Sequence, residues 1–300
     1  MRNVLITGLT GRSGRYFGEL LLQECVPGIC VTAVVRDLQK AEALFGRQRA
    51  IALVEGNIAD RKRMEKLLYE RQIDTLFHIA GIGFSTGLVQ AAAGAKTVRR
   101  LILVHTSGIY SKYKSAAEGY LQIEREVRAI AQSAGMVLTI LRPTMLYGSA
   151  DDRNISVFAH WIQRLPVFPL VGGGAFALQP VHHRDLGRAY YLVLTHEVQT
   201  RGKEYVLSGG NAVELRALLS MITELLEKRT AFVNFPYPLA MFAAVVLFYA
   251  SGKKADYREK VQRLVEPRAY SHADATRDFG YTPMPLQKGL AMEIEILVDK

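Results

Sequence analysis

The chain has 300 residues and a formal net charge of +10, with 22% charged and 49% hydrophobic side chains. That length suits one large domain or two modest ones, and that balance excludes a disordered polyelectrolyte. The basic residues fall in scattered groups (Arg12 and Arg15, Arg47 and Arg49, Arg61 to Arg63, Arg99 and Arg100, Lys253 and Lys254) with no stripe interleaved with aromatics, so no nucleic acid is expected as a partner; an anionic cofactor and substrate, or an anionic membrane surface, fit the charge.

Cys25 and Cys30 are the only cysteines, so no metal is expected and a reducing, cytoplasmic compartment is the plain reading. No charged-then-apolar leader precedes the first strand, so no signal peptide is expected.

Val4 to Ile6 is a short apolar run with β-branched residues, the pattern of a buried strand. Gly8, Gly11 and Gly14 follow at the spacing G-x-x-G-x-x-G, and Phe17, Leu20, Leu21 and Leu22 begin an apolar helical pattern. Strand, glycine turn and helix together predict a dinucleotide site. Glycine permits the tight turn and lets a pyrophosphate approach the backbone, while the helix N-terminus offers unpaired N–H groups. The second strand, Val31 to Val35, ends at Arg36-Asp37. An acidic residue at that end bonds the ribose 2′-hydroxyl of NAD, whereas an arginine suits the 2′-phosphate of NADP. Arg36, joined by Arg12 from the glycine loop, predicts a preference for NADP(H). Asp37 keeps NAD(H) open.

A third strand, Ala50 to Val54, leads into Gly56-Asn-Ile-Ala-Asp60 and a charged helix from Arg61 to Arg71. The fourth strand, Thr75 to Ala80, runs into Gly81-Ile-Gly83, and the fifth, Leu101 to His105, ends in Thr106-Ser107-Gly108. Strands alternating with helices predict an α/β fold: a doubly wound parallel sheet (Rossmann fold) with ligands at the carboxyl edge of its strands.

Thr7-Gly-Leu-Thr-Gly-Arg-Ser-Gly14, Gly56-Asn-Ile-Ala-Asp60, His78-Ile-Ala-Gly81, Thr106-Ser107 and Leu141-Arg-Pro-Thr-Met-Leu-Tyr-Gly148 stand in a telling order and spacing. Together they resemble the extended and atypical short-chain dehydrogenase/reductase superfamily, in its NAD-dependent epimerase/dehydratase branch. The variant from Thr10 to Arg15 is similar to that of the NmrA-like, NADP-binding members. The similarity continues through Gln179-Pro-Val-His-His-Arg-Asp185 and Tyr205-Val-Leu-Ser-Gly209. The resemblance implies that Gly8, Thr10, Gly11, Arg12, Ser13 and Gly14 form the cofactor loop. It further implies that Asn57 and Ile58 flank the adenine, and that Ala80 and Gly81 lie along the ribose and nicotinamide. Asn57 stands where an aspartate is commoner, and an amide can still bond the adenine edge.

Members that transfer hydride use a serine or threonine, a tyrosine, and a lysine four residues after the tyrosine. Tyr110-Ser-Lys-Tyr-Lys114 has that spelling but begins three residues after Ser107, too early for the helix that should carry the pair. Tyr120 lies thirteen residues after Ser107 within the helical pattern Tyr120, Ile123, Val127, Ile130, but the lysine position is Glu124. Tyr120 is the expected acid/base, with Thr106 or Ser107 orienting the substrate. A carboxylate at 124 would oppose ionisation of the tyrosine, and Lys112 or Lys114 is the candidate replacement for the missing charge. The plain alternatives are Tyr120 as a packed aromatic and Glu124 as a solvated helix-face charge.

Asp151 to Asn154 should open a helix over Ile155 to Arg164, with Gly172-Gly-Gly174 as a connector. Asp185 should cap the helix after His182-His183, whose imidazoles read as structural or substrate-side groups, since no third ligand has useful spacing. The division expected is residues 1–150 with 180–208 as the Rossmann domain, and 151–179 with 209–300 as a smaller C-terminal substrate-binding lobe. Arg216, Arg268 and Tyr270 in that lobe are candidates to meet an anionic substrate. Leu239 to Ala250 is apolar or aromatic for twelve residues, between Pro236 and Pro238 on one side and Lys253-Lys254 on the other. That is too short to span a bilayer, which leaves a buried or pocket-lining helix, or peripheral membrane contact through 239–250.

The function these readings imply is an NADP(H)-binding, epimerase/dehydratase-like oxidoreductase. Its substrate would be a small, anionic carbonyl or hydroxyl compound, nucleotide-sugar-like sugars among them. The rival is a cofactor-binding sensor, regulator or assembly factor, for which NmrA-like regulators and the complex I accessory subunit of this fold are precedents. Relatives that pair through helices of the sheet domain make a homodimer an open expectation.

Overall fold

The computed structural model describes residues 2–24, 26–46, 50–252 and 257–298. Cys25, Arg47, Arg49, Lys253 and Lys254, named above, lie outside them, as do the side chains of residues 114–116 and 260. The first half of the chain alternates as anticipated: β1 (Arg2–Thr7), α1 (Arg12–Glu24), β2 (Ile29–Val35), α2 (Leu38–Phe45), β3 (Ile51–Glu55), α3 (Arg61–Glu70), β4 (Thr75–His78), α4 (Ser85–Ala95), β5 (Arg100–Val104), α5 (Lys114–Ser133) and β6 (Val137–Pro143). Next come β7 (Leu146–Tyr147), α6 (Ile155–Arg164), β8 (Val167–Val171), β9 (Ala177–Leu178), β10 (Val181–His182), α7 (His183–Thr195), α8 (Glu197–Thr200) and β11 (Glu204–Leu207). The last stretch holds β12 (Val213–Glu214), α9 (Leu215–Leu225), β13 (Ala231–Phe235), α10 (Tyr237–Ala250), α11 (Arg258–Leu264), α12 (Ala273–Phe279) and α13 (Leu286–Val298).

Seven strands form the central sheet in the order β11-β6-β5-β4-β1-β2-β3, every neighbouring pair parallel. The order reverses at β1, which lies between β2 and β4, and that reversal opens a crevice at the carboxyl ends of β1 and β4. Strand side chains alternate between two cores. Val4, Ile6, Phe77, Ile102 and Val104 face α1 and α7, where Phe17 and Tyr190 pack. Leu5, Leu76, Leu101 and Leu103 face α3, α4 and α5, through Leu68, Leu88 and Val127. Each fully buried large apolar side chain contributes about 1.5–3 kcal/mol, so both faces of the sheet are strongly committed.

Arg100 opens β5 yet is buried. Its guanidinium donates to the carbonyls of Val193 and Leu194 and to Thr200 Oγ1, satisfying carbonyls at the C-terminal end of α7. A third core, with Tyr147, Ile155, Phe168, Leu218 and Leu290 at its centre, holds α6, β8, α9 and α13 together. Helix α12 packs instead on the sheet's first core through Ala275 and Phe279, the Phe279 ring standing 5.0 Å from that of Tyr205. Asp185 does not cap α7 as expected. His182 takes that place, its Nδ1 accepting from Arg184 N at 3.1 Å. The buried Asp185 carboxylate instead accepts from Met284 N at 3.1 Å, because the chain entering α13 has an amide to satisfy there.

Candidate active site

The glycine loop fills the crevice between β1 and β4. Gly8 has φ +84°, a left-handed conformation, and a Cβ on it would sit 2.5 Å from Ala80 N. A Cβ on Gly14 would run into the Gly8 carbonyl oxygen. Only glycine fits either place. Gly11 N donates to Gly8 O at 3.0 Å, closing the turn, and Ser13 and Gly14 are buried at the start of α1. Thr10 is half-buried in the turn, while Gly11 and Arg12 are exposed. The resulting backbone cradle, ending on a helix N-terminus, fits a dinucleotide pyrophosphate. Below it Thr7 Oγ1 and His78 Nδ1 share a 2.6 Å hydrogen bond. Burial, with His105 nearby, lowers His78 to about 3, so a neutral imidazole ties β1 to β4 under the cradle.

At the adenosine end, Arg36 is exposed just past β2. The Asp37 carboxylate caps α2, accepting from Lys40 N at 2.9 Å. Asn57 is exposed, its Oδ1 accepting from Ala59 N at 3.0 Å, and Ile58 packs on the second core. Ala80 is half-buried against Gly8, and Gly81 begins a short 3₁₀ turn. Arg12, expected to close over the same phosphate as Arg36, lies against Asp151. Its Nε and Nη2 each lie 3.1 Å from the Asp151 carboxylate, since the loop after β7 passes over the glycine turn. The hydrogen bond from Arg12 is the main cause holding the Asp151 carboxyl down at about 2. Both partners are exposed, so the pair is worth about 0–1 kcal/mol, less than a charge-assisted contact to a phosphate at about 1.5–3 kcal/mol.

At the end of β5, Thr106 Oγ1 accepts from Gly108 N at 3.0 Å and starts a 3₁₀ turn over Ser107–Tyr110. Thr106 and Ser107 line a cavity of ≈ 180 Å³ whose other walls include Met145, Arg263, Glu266 and Arg268. The Nε atoms of Arg263 and Arg268 are buried without a hydrogen-bond partner among the described residues. Glu266 clasps the turn, accepting from Lys112 N at 2.6 Å and Ser111 Oγ at 2.9 Å. Tyr120 is half-buried on α5 with its ring against the same turn, since a Cβ on Gly108 would lie 3.3 Å from its Cε2. The fold therefore gathers Thr106, Ser107 and Tyr120, though Tyr120 does not line the cavity.

Glu124 is not a solvated face charge. It is 4% exposed and accepts from Arg142 Nη2 at 2.6 Å and Nε at 3.1 Å. His105 Nδ1 lies 3.1 Å from it, and His105 Nε2 lies 3.1 Å from Ser85 Oγ. Arg142 reaches on to Glu204 at 2.8 Å, so the network joins α4, β5, α5, β6 and β11. Burial alone would raise Glu124, but the hydrogen bonds from His105 and Arg142 hold it down at about 2. Lys112 has an exposed side chain, and the side chain of Lys114 is outside the described residues. Arg142 also donates to Tyr110 Oη at 3.4 Å, and the Tyr110 ring lies 5.2 Å from that of Tyr270. Sequence reasoning missed Arg142, Arg263 and Glu266. The one available signal was an arginine inside the apolar run from Leu138 to Pro143.

Beside the cradle Glu293 is fully buried, accepting from Gly148 N at 2.9 Å. Burial, then the neighbouring Asp152, push it up to about 10, so it is a neutral acid at pH 7. A carboxyl whose folded value is raised loses stability as pH climbs from the ordinary glutamate range of 4.5 toward about 10. Glu293→Gln will therefore flatten that decline and raise the melting temperature at pH 8. Glu293→Ala will cost about 1–3 kcal/mol, because it leaves the Gly148 amide unpaired. Denaturant titrations at pH 6 and pH 8 check both.

A sequence-family profile described as NAD(P)H-binding matches residues 8–159, half of the chain, beginning with the glycine loop. The chain belongs to this NAD(P)H-binding family. It is 26% identical over 267 residues (79% of this chain, 78% of the relative) to a 4-hydroxy-2-methyl-3-oxo-4-farnesyl-3,4-dihydroquinoline-1-oxide ketoreductase of Stigmatella aurantiaca. It is 28% identical over 122 residues to mitochondrial NADH dehydrogenase [ubiquinone] 1 alpha subcomplex subunit 9 of Arabidopsis thaliana, a match spanning 39% of this chain and 30% of the plant protein. Its fold is that of a dTDP-glucose 4,6-dehydratase of Streptomyces venezuelae crystallised with NAD, at TM-score 0.76 and 20% identity over 99% of this chain and 97% of that one. This NAD(P)H-binding protein thus shares the architecture of the epimerase/dehydratase group. Among its described residues no helix is long and apolar enough to cross a membrane.

Proposed function

We propose that the protein is an NADP(H)-dependent reductase of a carbonyl group on a small anionic substrate. The observation that carries this is the position of the cradle and the arginine-walled cavity at one carboxyl edge of one sheet. The cofactor, when bound, supplies hydride at its nicotinamide. Ser107 orients the substrate oxygen, and Tyr120 gives that oxygen a proton as the carbonyl carbon accepts hydride, leaving an alcohol. Arg263 and Arg268 hold the anionic group; their buried Nε atoms, without a partner among the described residues, ask for an acceptor. A relative that is a ketoreductase supports carbonyl reduction over epimerisation.

The preference for NADP(H) rests on Arg36, with Asp37 occupied as a helix cap. Arg36→Asp will weaken NADPH binding about 10- to 100-fold and leave NADH within a few-fold of its starting affinity. Titration of both cofactors by quenching of Trp161 fluorescence checks this; unchanged preference would remove Arg36 from the site. A second reading has one observation in its favour. Glu124, locked to Arg142 and His105, stands where hydride-transferring relatives keep a lysine, as suits a cofactor-binding sensor or assembly factor without turnover. The partial likeness to a subunit of NADH dehydrogenase fits that reading.

A further inference from the structure

Helix α10 is built the wrong way round for a helix of a soluble protein. Its sequence from Leu239 to Ala250 is apolar or aromatic throughout, and a helix apolar on every side is normally buried. Here only the small residues Ala240 and Ala244 are buried. Tyr237, Met241, Val245 and Phe248 are half-buried on the same side, but the other large ones point out: Leu239 is 54% exposed, Phe242 67%, Leu247 53% and Tyr249 64%. Val233 and Phe235 on the preceding β13, and Tyr257 and Leu264 at the two ends of α11, are exposed as well. Patches of this kind mark contact surfaces. The helix has 14 residues, about 21 Å at about 1.5 Å per residue, against a hydrocarbon core of about 30 Å. It can lie in an interface but cannot cross it.

The surrounding charge selects the occupant. Residues 227–260 carry six lysines and arginines against three carboxylates, and the Arg258 guanidinium stacks 4.1 Å over the Phe248 ring. Two copies of such a positive patch repel each other, whereas anionic headgroups attract it while the apolar side chains enter the acyl boundary. The patch also adjoins the cavity. Helix α11 carries Arg263, which lines it. Helix α10 packs against α11, so the apolar face and the cavity share that helix. We propose that α10 and its basic flanks rest on an anionic bilayer surface, holding the Ser107 cavity next to the lipid.

Flotation of the full chain with vesicles of phosphatidylcholine, alone or with phosphatidylglycerol, tests this. The protein should float with the mixed vesicles, far less with the neutral ones, and detach as salt is raised. Phe242→Ser/Leu247→Ser should lower binding to mixed vesicles about tenfold or more at an unchanged melting temperature. The salt dependence of the unaltered chain reports independently of any variant. The proposal is overturned by absence of flotation with mixed vesicles, by binding indifferent to the anionic lipid, or by binding that survives the double variant. It is equally overturned if sedimentation shows a dimer that the double variant dissolves, since the face would then belong to a second copy.

Discussion

Replacing Glu124 with lysine will unfold the protein more readily, by about 3–5 kcal/mol, and will not create a tyrosine–lysine pair. The spelling invites the opposite expectation, because Glu124 lies four residues after Tyr120, where the sequence resemblance would put a lysine. The carboxylate, however, is buried against Arg142 and His105, with Arg128 at 3.4 Å. An ammonium there would face two guanidinium groups in a site nearly closed to water. Denaturant titration of Glu124→Lys beside Glu124→Gln measures the cost; a lysine variant as stable as the parent would contradict the network. The same network predicts an acid limb. A glutamate whose folded value is depressed to about 2 from 4.5 contributes stability that is complete above about pH 4.5 and fades as pH falls toward 2. Glu124→Gln will make that limb shallower.

Tyr120→Phe will lower kcat about 10²- to 10⁴-fold, the usual weight of a positioned acid, with the affinity for NADPH unchanged. Tyr110→Phe is the necessary companion, because Arg142 donates to the Tyr110 hydroxyl and gives it a positive neighbour. Activity surviving in the first variant and lost in the second would move the acid to Tyr110. Steady-state rates with each variant, and cofactor titration of each, separate chemistry from binding.

The cofactor side of the molecule was legible because its signals are local. Gly8, Gly11 and Gly14 recur every three residues from the end of a strand into the first turn of a helix, so backbone geometry and spacing carry the same message. The alternation of strands and helices likewise named the sheet, and the reversal of its order at β1 follows from that topology. Long-range pairing was not legible. Nothing near Glu124 announces that Arg142, eighteen residues on, crosses from the neighbouring strand to neutralise it. Arg12 was read with Arg36, and nothing near it announces its ion pair with Asp151, 139 residues away. Asp185 was read as a cap from its place at a helix start, yet it serves Met284, 99 residues away. In each case a charged group's role is set by the element packed over it. The apolar stretch at 239–250 was visible at once, but whether its large side chains point in or out depended on the neighbours of α10.

The reductase reading meets its most direct test in NADPH carrying deuterium on the nicotinamide. The protein loaded with this cofactor is incubated with a cell-derived metabolite mixture and searched by mass spectrometry for a labelled product. A deuterated alcohol that forms with the parent chain and disappears with Tyr120→Phe is the expected result, and its mass identifies the substrate. Tight binding of NADPH with no label passed to any compound would contradict a reductase and leave a protein that holds the cofactor without using it.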